Sequence, residues 1–278
     1  MAAAVARPVT VLAVLATVGL VLVTAVLAQV VGPATVVLAL VATVAVARLA
    51  TVGRTRMFAR LHQTDARLNI DVTLADWMPK VIRNVLISDK YEQNERSMVE
   101  ASVHPYDRVV ELGAGLGVIS AMCAKVVGDG NVVCYEANPK MIDPILDTYR
   151  LNGVAPVIRN AVLGETAGGT VPLYIHEEFW KSSLVPDPIW QPVTVEMVPV
   201  VNGSDALLNA SFLICDIEGG EAELFKTLDL PASLKKILVE VHPHLIGAKG
   251  LDRMLADFYS HGFTLVATGG DVWFLARA

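Results

Sequence analysis

Hydrophobic and polar positions change their rhythm three times along the chain. From Val9 to Val31 no charged side chain interrupts the apolar run, Gly32 and Pro33 break it, and a second run follows from Ala34 to Val52 with Arg48 as its one charge. About 20 apolar residues suffice for a helix to cross the hydrocarbon of a bilayer, so the pattern predicts a transmembrane helical hairpin over residues 1–53. A cleaved signal peptide with a small-residue site near Ala28 is the alternative for the first run. The immediate second run and the single Arg7 ahead of it speak for the hairpin.

Residues 54–106 read differently. Arg54, Arg56 and Arg60 lead into a polar stretch, Leu61 to Leu68, expected to be a linker. From Val72 to Ile87, Val72, Leu74, Trp77, Met78, Val81, Ile82, Val85 and Leu86 make the broad apolar face of a helix, with Pro79 as a kink. Packing on the following domain, covering a cleft and lying on a membrane all suit such a face. The whole segment is therefore a basic juxtamembrane linker with N-terminal helices.

From Asp107 to Ala278 strand-like and helix-like runs alternate. RVVEL, NVVCYEA, PVIRNAV, FLICDIE, KKILVEVH, FTLVA and DVWFLARA read as strands, several continuously apolar as strands covered on both faces are. Helical stretches at Gly117 to Val127, Pro139 to Leu151, Glu221 to Leu228 and Leu251 to His261 separate them. The alternation predicts an α/β, doubly wound, Rossmann-like sheet, mostly parallel. Thr268-Gly269-Gly270-Asp271 predicts a final hairpin that adds one antiparallel strand near the C-terminus.

Charge sharpens this division. Hydrophobic residues make up 54% of the 278, with a mean hydropathy of +0.51. With Arg7 and Arg48 set aside, 20 basic residues face 28 acidic ones after Ala50, a net of −8. An acidic domain of this kind offers no broad basic face to nucleic acid. Arg48, Arg54, Arg56 and Arg60 crowd one end of the hairpin and Arg7 the other, so both ends are expected on the cytoplasmic side of the inner membrane. Cys123, Cys134 and Cys215 match neither a zinc spacing nor a disulfide framework, and are expected to be buried and reduced.

The chemistry concentrates at VVELGAGLGVIS, Val109 to Ser120. A dinucleotide loop needs G-x-G-x-x-G, and counting from Gly113 the third position is Val118. The loop present is E-x-G-x-G-x-G, Glu111 to Gly117 with Ala114 inside it, whose spacing suits an adenosyl group without a pyrophosphate. Glu136, followed by Ala137 and Asn138, falls at the carboxyl end of the next strand, where an acid can accept both ribose hydroxyls. Asn160 and Ala161, after the third strand, are placed for the edge of an adenine ring. A strand-end cap is the alternative for Asn160.

With these residues in view the chain resembles the FkbM family of S-adenosylmethionine-dependent methyltransferases. KYEQNE at Lys90 to Glu95, the glycine loop, VVCYEANP, VIRNAVLGE, KSSLVP at Lys181 to Pro186, LICDIEGGEAELF at Leu213 to Phe225 and ILVEVHP at Ile237 to Pro243 occur in that family's order. The chain reads D-x-E-G-G-E at the family's D-x-E-G-x-E, and Glu111 stands where an Asp is frequent. The likeness covers about Tyr91 to Ala278 and leaves the hairpin outside. It implies S-adenosylmethionine as cofactor, Tyr91, Glu92 and Asn94 near it, and a hydroxyl as methyl acceptor.

A hydroxyl needs a base or a metal to become nucleophilic. Asp216 and Glu218 end the fourth strand, and Glu240, His242 and His244 follow the fifth, so both rims meet. His242 is the expected general base, with Asp216 and Glu218 as catalytic partners and Asp216 also at the cofactor. The competing arrangements are a divalent metal on Asp216, Glu240 and His242, of a type nearer zinc or iron than magnesium or manganese, and plain structural hydrogen bonding. Glu221 is expected to serve the following helix as an N-terminal acid. Ser182 and Ser183, flanked by Trp180 and Trp190, lie in an insertion, Glu177 to Pro192, that suits an acceptor pocket or packs on the sheet.

The first function this supports is a membrane-anchored methyltransferase acting on a glycan, lipid-linked or small-molecule hydroxyl. The others are a non-catalytic nucleoside-binding membrane module and an NAD-linked enzyme.

Overall fold

The computed structural model describes residues 57–186, 192 and 194–278. The predicted hairpin, the arginines up to Arg56 and Trp190 lie outside the described residues. Among those described, no helix is long and apolar enough to cross a membrane.

The first two strands, β1 (Phe58–Leu61) and β2 (Ile70–Thr73), form an antiparallel pair joined through the stretch read as a linker. The apolar face expected from Val72 onward is divided. Val72 belongs to β2, the chain turns, and Pro79 caps helix α1 (Lys80–Ile87), whose buried residues are Ile82 and Leu86. Proline starts this helix instead of kinking it, because its fixed φ suits a helix entry and its missing N–H leaves no bond unmade there. Helix α2 (Gln93–Ser102) follows.

The central sheet is built from β3 (Val109–Leu112), β4 (Val132–Tyr135), β5 (Val157–Arg159), β9 (Phe212–Cys215), β10 (Lys236–Glu240), β11 (Thr264–Gly269) and β12 (Val272–Ala276). Its order is β11-β12-β10-β9-β3-β4-β5, parallel from β10 to β5, with β12 antiparallel to both its neighbours. The hairpin through Gly270 and Asp271 therefore inserts its second strand between the first and the body of the sheet.

Side chains alternate between the two faces of a strand, and here both faces are covered. Val109, Val132, Cys134, Ile214 and Leu238 join one core with α3 (Val118–Val127) and α4 (Ile142–Asn152). Val110, Leu112, Cys215, Ile237 and Val239 join the other, with α6 (Glu221–Thr227) and α8 (Ala248–Ser260). Burial on both sides accounts for the unbroken apolar runs. It also accounts for the three cysteines, all free, buried and held in the thiol form by burial.

A further, three-stranded sheet was not foreseen either. The run PVIRNAV divides into β5 and β6 (Val162–Gly164), and β6 pairs with β8 (Thr194–Asn202), which also pairs with β7 (Thr170–Ile175). Short helices α5 (Gly203–Leu207) and α7 (Pro243–Ile246) complete the described elements.

One close approach fixes the central turn. Gly113 has φ +78, and a methyl group there would overlap the Asp216 carbonyl oxygen, so the turns after β3 and β9 touch through bare backbone. Gly153, φ +69, has open space around it. Gly153→Ala should thus lose only the ~1–2 kcal/mol of left-handed strain. Gly113→Ala should lose clearly more, as read from urea unfolding of the two variants; equal losses would contradict the packing of these turns.

Candidate functional site

The parallel strands deliver their next residues to one rim. Gly113 follows β3, Glu136 follows β4, Asp216 follows β9, and Glu240 ends β10. At this rim lies a cavity of about 410 Å³.

Glu136 ties the rim together. One oxygen accepts the backbone N–H groups of Ala114 (3.0 Å) and Gly115 (3.3 Å), and the other accepts that of Asn138 (2.7 Å). A carboxylate has about four lone-pair sites, so one remains on Oε1 while the side chain lines the cavity. That is room for one further donor, against the two ribose hydroxyls anticipated. The glycine loop and the Asn138 N–H occupy the rest. Burial raises the Glu136 pKa, while the backbone donors, led by Asn138, lower it.

The remaining anticipated cofactor residues divide. Tyr91, Gly113, Gly115, Ala137, Asn138, Ala161 and Asp216 line the cavity with Glu136. Ala114 contributes its N–H to Glu136 and is absent from the lining. Gly117 faces α4: a methyl there would come within 2.9 Å of Tyr149 and 3.0 Å of Ile145, so this glycine serves helix packing. Asn160 donates to the Glu136 and Ala137 carbonyls at 2.8 and 2.9 Å, the strand-end cap that was the alternative.

Glu111 points away from the cavity into the core beneath it, toward Ser120 and Cys134, with Oε2 lacking a hydrogen-bond partner. Burial pushes its carboxyl up to about 7. The folded chain therefore holds this proton more tightly than the unfolded chain, and the contribution is fully present below pH 4.5 and lost as pH rises through 7. The difference is about 3 kcal/mol. Glu111→Gln should stabilise the protein at pH 8 far more than at pH 5 in denaturant unfolding; a pH-independent effect would contradict this placement.

Tyr91 and Glu92 lie across the glycine loop. A methyl on Gly115 would meet the Tyr91 hydroxyl at 2.9 Å and Glu92 Oε1 at 3.2 Å. Glu92 has φ 48. Arg96, buried to 2% exposure, fixes this conformation by donating to the carbonyls of Tyr91 (2.8 Å), Asp89 (2.8 Å) and His62 (3.0 Å). Nothing in the sequence marks Arg96, since it lies one residue after the KYEQNE segment and its partners are three backbone carbonyls and the Asp89 carboxylate, 3.2 Å away. Asn94 lies elsewhere, with its amide 3.2 Å from where a side chain on Gly270 would begin. A lysine cannot reproduce the planar fork of arginine. Arg96→Lys should accordingly weaken nucleoside binding with the far side of the cavity intact, measured by calorimetry; unchanged binding would show that this loop does not hold the ligand.

The other wall comes from D-x-E-G-G-E. Glu221, wholly buried at the start of α6, accepts the N–H groups of Ile217 (3.2 Å) and Gly219 (3.1 Å) with the same oxygen that meets His242 Nδ1 at 3.0 Å. It does act at a helix N-terminus, and it orients the imidazole as well. His242 Nε2 then faces Glu218 Oε2 at 3.2 Å and Asp216 Oδ1 at 3.8 Å. Ser183 in the insertion donates to the Glu218 carbonyl at 2.6 Å. Ser182, Ser183 and Trp180 line the cavity, as do Phe179 and Leu184.

His242 sits among three carboxylates, which favours its protonated form. Burial lowers its pKa, but the hydrogen bonds and charges of Glu218, Glu221 and Asp216 outweigh burial and push it up to about 11. With no cation bound, these carboxylates favour the imidazolium, a donor to them; a cation at the same place would take the position of the proton on Nε2. Asp216 is held well above the carboxylate range by burial and by Glu218 and Glu240, and Glu240 is pushed up to about 7 by burial and Glu95. Three side chains present ligand atoms within 4.8 Å of one another: Asp216, Glu218 and His242. Glu218 takes the place anticipated for Glu240. His244 stacks edgewise near His242, their centroids 6.1 Å apart.

The cavity's charged residues are all acids: Glu92, Glu136, Asp216, Glu218 and Glu223, with no Lys or Arg among the described lining residues.

No protein-family model and no curated protein matches the sequence. Solved structures with a similar fold include a ribosomal protein L11 methylase from Lactobacillus delbrueckii subsp. bulgaricus, 13% identical over 64% of this chain and 74% of that one, with a TM-score of 0.40. A precorrin-6y C5,15-methyltransferase from Geobacter metallireducens is 13% identical over 68% and 89%, TM-score 0.41. A putative SAM-dependent methyltransferase from Streptococcus mutans is 9% identical over 75% and 53%, TM-score 0.42. At that level of likeness neither activity nor acceptor passes from those proteins to this chain.

Proposed function

We propose that the chain is an S-adenosylmethionine-dependent methyltransferase acting on a hydroxyl group. The observation that carries this reading is the sign of the charged residues lining the cavity around the glycine loop, every described one of which is an acid. A dinucleotide brings a pyrophosphate, which this wall repels. S-adenosylmethionine brings a sulfonium and an ammonium, and Glu92 Oε2 and Asp216 Oδ1 are buried oxygens without hydrogen-bond partners in the same wall. Buried acids of this kind are stabilised by a cationic partner.

The residues fit the group part by part. The free lone pair of Glu136 accepts a ribose hydroxyl, and the apolar Ala137, Met141, Ala161 and Leu163 give a surface of the kind an adenine ring covers. S-adenosylmethionine supplies a methyl group activated for in-line displacement, so the protein's work is alignment and exclusion of water. Phe179 and Trp180, edge to face at 5.3 Å, flank the cavity beside Ser182 and Ser183. His242 orients Glu218, its Nε2 3.2 Å from Glu218 Oε2, and the acceptor's proton goes to the carboxylates of this rim.

The acceptor class follows from the same wall. Acidic lining disfavours phosphorylated acceptors and nucleic acid and favours a neutral hydroxyl, such as one on a glycan or lipid-linked intermediate. The D-x-E-G-G-E segment, through its likeness to the FkbM family, supports oxygen as the methylated atom. The uncharged run from Val9 to Val31 and the arginines after the second run support anchoring in the inner membrane with the enzyme at its cytoplasmic side.

Calorimetry on the full chain tests the central point. S-adenosylmethionine and S-adenosylhomocysteine should bind, NAD should not, and Glu136→Gln should weaken the nucleoside by about 10- to 100-fold, the worth of a hydrogen bond to a charged group. Tighter binding of NAD would replace this reading with a hydride-transfer enzyme. Binding without transfer of labelled methyl to membrane extracts would leave a nucleoside-binding module.

A further inference from the structure

We infer that Asp216, Glu218 and His242 form a binding site for a divalent transition-metal ion of the zinc and iron class, opening onto the cavity. The site would stand whether or not the chain transfers methyl groups.

Four features converge on it. The donor atoms of these three side chains lie within 4.8 Å of one another. His242 is more than nine-tenths buried, and its Nε2 points at both carboxylates, 3.2 Å from Glu218 Oε2 and 3.8 Å from Asp216 Oδ1. Its other nitrogen is fixed on Glu221 Oε1 at 3.0 Å, and Glu221 is in turn anchored by the N–H groups of Ile217 and Gly219. A metal-binding histidine is regularly oriented by a carboxylate on its second nitrogen in this way. Asp216 Oδ1 is shut off from solvent and has no hydrogen-bond partner.

The backbone presents these groups under constraint. Glu218 has φ 55, a left-handed conformation uncommon for a side chain of its kind, and the turn is held on both sides by Ser183 on the Glu218 carbonyl and Glu221 on the Gly219 N–H. Such a turn directs the Asp216 and Glu218 carboxylates to the same point. An imidazole with two carboxylates suits zinc or iron better than magnesium, which prefers oxygen and water. Asp216 and Glu218 line the cavity, which leaves the open side of the ion toward whatever occupies it. If the methyltransferase reading holds, an ion there would bind the acceptor oxygen and acidify its hydroxyl.

The test uses the full chain, stripped with chelator and free of nucleoside. Titration with Zn²⁺, read by calorimetry, should show one saturable equivalent, with Mg²⁺ at least 10-fold weaker. His242→Gln and Asp216→Asn should each weaken the Zn²⁺ site 10-fold or more, while Asp252→Asn, an exposed acid on α8, should leave it unchanged. Circular dichroism verifies the fold of each variant. Should the buried His242→Gln variant not fold, Asp216→Asn and Glu218→Gln, both on partly exposed side chains, give the same reading. Absence of a saturable equivalent, or binding undiminished in the folded variants, overturns the inference. Because the nucleoside is titrated separately, a chain that binds S-adenosylhomocysteine without metal fails here alone, and one that binds metal without nucleoside fails only the function proposed above.

Discussion

The Glu136 carboxylate is the knot of this rim. It stands one residue beyond β4, yet two of its three backbone partners, Ala114 and Gly115, belong to the turn after β3, and the third, Asn138, belongs to its own. Two neighbouring strand-to-helix turns, which would otherwise project independent loops, are thereby locked to one buried charge. The Gly113 backbone lies against the Asp216 carbonyl, so the turn after β9 is drawn into the same assembly. What Glu136 holds is the floor of the cavity, and Tyr91 and Glu92, set by Arg96, lie over it.

Opposite this floor, charge is arranged by a different rule. Asp216, Glu218 and Glu221 come from one short turn, and each meets His242, so a single imidazole organises carboxylates that would otherwise repel. Glu221 serves the turn and the imidazole with one oxygen, which explains how a residue at a helix start reaches into site chemistry. A protonated histidine or a bound cation satisfies this arrangement. The position of a histidine beside acids in sequence carried no information about how closely they would surround it.

The sheet was legible because its strands are buried on both faces. FLIC and the central Ile-Leu-Val of KILVE are unbroken buried apolar runs, and the Gly270-Asp271 turn announced the antiparallel strand. The half-exposed strands were not. β7 and β8 bury one face, with Val195 and Met197 exposed, and β1 places exposed Phe58 beside buried Ala59, so their apolar content reads as irregular. In the site, positions on the strand ends were readable because topology alone puts Gly113, Glu136 and Asp216 at one rim. Side-chain direction was not readable. Glu111 and Gly117 flank the same loop and turn into the core and onto α4, and Asn160 closes the edge of the sheet instead of facing a ligand. Two positions along a strand are enough to exchange cavity for core.

The account stands on a nucleoside lying between the glycine loop and Glu136 within an acidic wall. A crystal structure of the full chain with S-adenosylhomocysteine tests that directly. The account predicts a ribose hydroxyl on Glu136 Oε1 and the amino-acid end of the ligand running over Gly113 and Gly115 toward Asp216 and Glu92. A ligand bound elsewhere, with Glu136 meeting only the N–H groups of Ala114, Gly115 and Asn138, would contradict it.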